Sequence, residues 1–115
     1  MTTNRDLESL IDIDYYGRNV ISFVSGMTQV EFAEDRKTIA AVMYAISIMG
    51  EATKRLSNEF REEHPHLPWR ELAGMRDRLV HDYKNIALNI LWDVVSVEIP
   101  ALLTNLEPLL PEQDE

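Results

Sequence analysis

Ile39-Ala40-Ala41-Val42-Met43-Tyr44-Ala45-Ile46-Ser47-Ile48-Met49-Gly50 carries the cleanest apolar spacing in this chain of 115 residues. Ile39, Val42, Met43, Ile46, Met49 and Gly50 recur at steps of three and four, and Thr53, Leu56 and Phe60 continue the series. That period belongs to a helix with one apolar face. Asp35 precedes it as an N-cap residue, so the spacing predicts one long helix from Asp35 to about Glu63. Gly50 in mid-helix costs roughly 1 kcal/mol against Ala; its presence there predicts the close approach of another helix.

Outward from this segment the same period recurs. Leu7, Leu10, Ile11, Tyr15, Ile21 and Val24 supply a first helix over 4–25, closed by Gly26. Thr28 and Glu31 have capping-box spacing for a short turn. After Pro65 and Pro68 a third helix is expected from about Pro68 to Tyr83. Asn85 is the candidate cap of a fourth, carrying Leu88, Leu91, Trp92, Val95, Ile99, Leu102, Leu103 and Leu106. Pro100 should kink or divide it. Short connections between long helices imply antiparallel neighbours. The expected fold is therefore all-α, an antiparallel bundle of four to five helices forming one domain over residues 1–110. Residues 111–115 make an acidic tail expected to fray. Surplus apolar stripes suit burial against a second copy.

Composition narrows the function classes. The net charge is −9, which argues against general nucleic-acid binding and against DNA as a partner. The charge is uneven. Residues 36–84 hold nine of the eleven Lys and Arg with seven acids, giving +2; the rest holds two bases and thirteen acids, giving −11. A mildly basic centre in an acidic shell is compatible with a local anion site, although solvated helix faces give the same pattern. With no cysteine, disulfides and thiolate metal sites are excluded. No apolar run approaches the roughly 20 residues needed to span a bilayer, and the first residues lack a signal-peptide layout. The expectation is a cytoplasmic protein with no membrane partner.

Chemistry concentrates in Arg76-Asp77-Arg78-Leu79-Val80-His81-Asp82-Tyr83. On an ideal helix Leu72, Arg76, Leu79 and Tyr83 share a stripe, which puts a permanent cation at a core-like position. It must meet an acid such as Glu51 or open onto an anion groove. Histidine is the side chain whose ordinary titration range spans neutral pH, which makes His81 a candidate proton carrier. RNA phosphodiester cleavage needs a group to take the 2′-hydroxyl proton and a fixed charge for the crowded phosphate, and His81 and Arg76 are the right types. No metal or cofactor is called for. A straight helix, however, separates Arg76 and His81 by about 140° and about 7.5 Å of rise. Either the helix loosens near His81 or two protomers share one cleft. Arg78, Lys54, Arg55 and Lys84 are further candidates for RNA phosphate contacts. His64 and His66 around Pro65 read as a polar loop in preference to a metal site. Trp69 and Trp92 read as core anchors.

The spacing Arg76, His81, Tyr83, with Ile48-Met49-Gly50-Glu51-Ala52-Thr53-Lys54-Arg55-Leu56-Ser57, Pro68-Trp69-Arg70-Glu71-Leu72-Ala73-Gly74-Met75 and Leu91-Trp92, resembles the HEPN superfamily, most closely the HepT-like toxins. The resemblance covers nearly the whole chain. It implies a HEPN-like homodimer whose cleft holds a metal-independent endoribonuclease site. Arg76 and His81 carry over as the catalytic pair, and Asp77 as a residue that helps position them. Tyr83 carries over as a supporting site residue to which a minimal nucleotidyltransferase antitoxin adds AMP. Ala87 departs from the acidic residue that often opens the final helix in that family. The competing expectation, from another class, is a non-catalytic helical subunit that binds a nucleotidyltransferase.

Overall fold

Thr3 and Asp6 start the first helix with reciprocal hydrogen bonds. Asp6 N–H donates to Thr3 Oγ1 (3.1 Å) and Thr3 N–H to Asp6 Oδ2 (3.3 Å). In the computed structural model, which describes residues 2–82 and 85–111 but not the side chains of His81 and Asp82, helix α1 runs Asn4–Val24. Gly26 follows with φ of 79°, the left-handed conformation that favours glycine after a helix. The Thr28–Glu31 capping box opens α2, Gln29–Glu34. Asp35 Oδ1 then accepts from Thr38 N–H (3.0 Å) and opens α3, Arg36–Lys54.

The long helix expected to reach Glu63 stops at Lys54. Ser57 turns extended and caps a separate α4, Asn58–Glu63, through Phe60 N–H (3.1 Å). The break is supported from outside the segment. The buried Asp6 carboxylate accepts from Ser57 N–H (2.8 Å) and Ser57 Oγ (2.9 Å), so backbone freed by the break has a partner. That contact also joins the start of α1 to the chain just beyond α3, so the two helices run antiparallel. They pack along most of their length.

The third helix is likewise shorter than its spacing predicts. It divides at Gly74 into α5, Trp69–Ala73, and α6, Met75–Leu79, and does not reach Tyr83. Val80–Asp82 is extended strand β1, paired antiparallel with β2, Asn85–Ile86. Asn85 is thus in a strand and not the cap of the next helix. Ala87 takes that position, with no side-chain cap bond, ahead of α7, Leu88–Asp93. Pro100 divides the final helix by way of a π-helical turn, Val94–Glu98, in which Ile99 N–H reaches back to Val94 O. Helix α8, Ile99–Leu106, and a short 3₁₀ turn, Glu107–Leu109, follow.

The all-α bundle holds, with more breaks than periodicity showed. Leu10, Ile13, Val20, Ile46, Met49, Leu72, Leu79, Leu91, Ile99 and Leu106 centre one core. Trp69 is buried; Trp92 is half-buried against Phe32, ring centroids 5.4 Å apart. No described helix is long and apolar enough to cross a membrane.

Candidate active site

The site is built where α5 and α6 lie against the second half of α3. Gly50 lets them meet. A Cβ placed there would stand 3.3 Å from the Ala73 carbonyl oxygen, so a methyl would crowd α5 and a branched side chain would push it outward. The close approach expected of Gly50 is present. Above the contact lies a groove of about 230 Å³ lined by Ser47, Gly50, Glu51, Lys54, Ala73, Arg76 and Asp77.

Arg76 faces this groove and not the core. Met75 fills the buried position between Leu72 and Leu79, which leaves Arg76 on the solvent edge with its side chain 56% exposed. The expected stripe of Leu72, Arg76 and Leu79 is corrected accordingly. A step of three from Leu72 is as good as a step of four, and the apolar side chain wins the interior. Arg76 Nη1 lies 3.5 Å from Asp77 Oδ1, and Lys54 Nζ lies 3.6 Å from Glu51 Oε1. Both pairs are long and exposed, contributing about 0–1 kcal/mol each. Both cations stay more than half exposed beside these acids. The alternative of Arg76 locked to Glu51 is not what forms: Glu51 lines the same groove but pairs with Lys54.

The helix loosens before His81, one of the two ways the spacing problem could be solved. Beyond Leu79 the backbone is extended, so Arg76 and His81 are not held on opposite sides of one helical cylinder. The side chain of His81, and Tyr83 and Lys84 entirely, lie outside the described residues. Arg78 points elsewhere. Its Nη2 donates to both oxygens of Glu98, at 3.0 and 3.1 Å, and ties α6 to the π-helical turn. Arg55 is exposed at the end of α3 and does not line the groove. His64 sits against Phe60 with ring centroids 4.6 Å apart. No group of metal-ligating residues is assembled among the described residues.

Ser47 is the lining residue that motif reading missed. Its hydroxyl donates to Met43 O (2.9 Å). The signal was present as Ser47, Glu51 and Lys54 at steps of four and three, a polar stripe on an otherwise apolar helix.

Fold and groove together define an all-α bundle protein with a polar groove, lined by Lys54 and Arg76 and by Glu51 and Asp77, beside a strand that carries a histidine. The ribonuclease HepT-like family matches residues 13–109, and the chain belongs to that family. "Probable ribonuclease HepT" of Thermococcus cleftensis is 44% identical over 79 residues, 69% of this chain and 72% of that protein. "Putative RNase MJ0125" of Methanocaldococcus jannaschii is 34% identical over 112 residues, 96% and 97% of the two chains. "Putative RNase TTE0752" of Caldanaerobacter subterraneus subsp. tengcongensis is 37% identical over 94 residues, 82% and 84% of the two. No solved structure matches the chain.

Proposed function

We propose that the chain is a metal-independent endoribonuclease toxin acting at the Arg76 groove. Neutral His81 takes the proton from a ribose 2′-hydroxyl. The 2′-oxygen attacks the adjacent phosphorus, and Arg76 offers forked donors to the charge that gathers on the phosphoryl oxygens. The 5′-oxygen leaves with a proton returned by an imidazolium, giving a 2′,3′-cyclic phosphate end. Arg76 and His81 supply both the fixed charge and the proton carrier, so the reaction as written calls on no metal. Asp77, 3.5 Å from Arg76, restrains the guanidinium without sealing it. The observation that carries the reading is an exposed, loosely paired guanidinium in a groove, in a chain of the ribonuclease HepT-like family.

The cleft is completed by a second copy in this reading. Ile11 and Tyr15 on α1 and Tyr44 on α3 are 47%, 58% and 63% exposed, and Tyr16 joins them with a ring centroid 6.3 Å from Tyr44. Tyr44 shares one face of α3 with Ser47 and Glu51, three and seven residues on, so the aromatic face runs into the groove rim. A twin subunit seated on it would border Arg76. Tyr83, two residues beyond His81, is the acceptor for AMP from a minimal nucleotidyltransferase antitoxin. The added phosphate and bulk would repel RNA and block access.

Cleavage of RNA in excess chelator by the purified protein tests the reading. His81→Ala and Arg76→Ala should each lose about 10²- to 10⁴-fold in rate. Full activity in His81→Ala rejects the proposed base. A wild type that binds a nucleotidyltransferase but never cuts RNA favours the non-catalytic subunit.

A further inference from the structure

A second groove adjoins the Arg76 groove outside the catalytic motif. It is wider, about 540 Å³, and lies between α4 and α5, lined by Asn58, Arg61, Glu62, Pro65, Trp69, Arg70 and Ala73. Ala73 borders both grooves, so they adjoin at α5. Both carry cations: Lys54 and Arg76 in the first, matched there by Glu51 and Asp77, and Arg70 and Arg61 in the second, where bases outnumber acids. Arg61 is held ready. Its Nη2 donates to Asn58 Oδ1 at 2.6 Å, which orients the guanidinium and leaves its other donors for a ligand. Arg70 is exposed on α5. Glu62 is the acid among the lining residues of this groove, against two guanidinium groups. Glu59 and Glu63, four apart on α4, project from the helix flank away from Arg61 and Asn58 at 100° per residue.

We propose that this second groove binds single-stranded RNA beside the scissile bond, with Arg61 and Arg70 on the phosphates flanking the one at Arg76. The inference rests on the ribonuclease reading. A single strand fits better than a duplex, because 2′-oxygen attack needs a backbone free to bring the attacking and leaving oxygens into line. The contacts are to phosphate and not to stacked bases. Trp69 is only 5% exposed, and its indole N–H is already given to His64 O (2.9 Å), so it forms floor and not a stacking platform. The track therefore adds affinity and register without choosing sequence.

Binding of labelled single-stranded RNA to full-length protein carrying His81→Ala, measured across a salt series, tests this. Adding Arg61→Ala and Arg70→Ala should weaken binding. It should also flatten the plot of log affinity against log salt by about 1.4, at about 0.7 per lost phosphate contact. In otherwise wild-type protein the same pair should raise KM for a long RNA far more than it lowers kcat. Arg61→Lys with Arg70→Lys should restore most of the slope, because charge and not shape is read. An unchanged slope in a wild-type protein that cleaves RNA overturns the track and spares the ribonuclease. So does a slope unchanged while association with an acidic protein partner is lost. Absence of RNA cleavage by the wild type removes the ribonuclease reading itself, and the track with it.

Discussion

Gly50 and Ala73 lie against one another across the α3–α5 interface: a Cβ on the glycine would stand 3.3 Å from the Ala73 carbonyl oxygen, so α5 would have to give by a few tenths of an ångström. This contact sets the distance between the element that carries Glu51 and Lys54 and the one that leads into Arg76. Gly50→Ala gains helix propensity of roughly 1 kcal/mol but crowds the carbonyl, so stability should change by about 1 kcal/mol or less. Gly50→Val forces the helices apart and should cost about 1–3 kcal/mol. Urea unfolding measures both. RNA cleavage by Gly50→Val, assayed where the variant is still folded, should fall along with groove geometry. Retained stability and activity in Gly50→Val would contradict the account of the interface.

The legibility of this contact in the sequence was partial, and the reason is physical. Gly50 stood out because a glycine in a regular helix has a cost that must be repaid by packing. Ala73, its counterpart, did not, because alanine suits almost any helix position. The same asymmetry explains the overextended helices. The apolar series through Leu56 and Phe60 continues across the break, since both side chains still enter the core from α4 and its approach. What breaks the helix is Ser57 bonded to Asp6, fifty-one residues away, and no local pattern reports that. Arg76 was legible as an oddity but misplaced by one step, because Met75 competes for the same interior slot. Caps with local partners were readable at Thr28 and Asp35, whereas the Thr3–Asp6 box and the Ser57 cap went unread.

Asp6 should make stability pH-dependent on the acid side. Burial works against its charge, but hydrogen bonds from Ser57 and Thr3 outweigh this and hold its carboxyl below the ordinary 3.8. Because the folded value is the lower one, the stabilisation is present above 3.8. It is lost as pH falls through the folded value. Asp6→Asn keeps the shape but removes the charged acceptor, and should cost about 1–3 kcal/mol at pH 7. Its stability should also fall less steeply than that of the wild type between neutral pH and the acid transition. Parallel acid-unfolding curves for the two proteins would refute the assignment.

Arg78 and Glu98 form a brace between two elements of the bundle. The pair joins α6, immediately before the His81 strand, to the π-helical turn. Both partners are about two-fifths exposed, so the stability at stake is about 0–1 kcal/mol. Its effect should fall instead on where β1 leaves the bundle. Glu98→Ala separates the two roles. If Arg78 braces, freeing it lowers the cleavage rate with little change in KM for RNA. If Arg78 binds phosphate, releasing it from Glu98 tightens RNA binding. The expected outcome is the first, and the exchange Arg78→Glu with Glu98→Arg should recover part of the lost rate in a double-mutant cycle.

The aromatic face of α1 and α3 gives the last prediction. Tyr15 and Tyr44 expose rings that a monomer gains nothing by presenting, on a face that runs into the rim of the Arg76 groove. In a homodimer seated there, Tyr44→Glu would bury a carboxylate against apolar surface, or bring it against its own twin near the symmetry axis. Either costs several kcal/mol, so the dimer constant measured by sedimentation equilibrium should weaken by at least about a hundredfold. Tyr44 is largely exposed in the monomer, so its thermal unfolding should change little, which separates assembly from folding. Cleavage should fall in step with the dimer fraction, and raising the protein concentration should restore it. A Tyr44→Glu protein that stays dimeric would move the interface to another face. One that is monomeric yet fully active would show that a single chain holds the whole site.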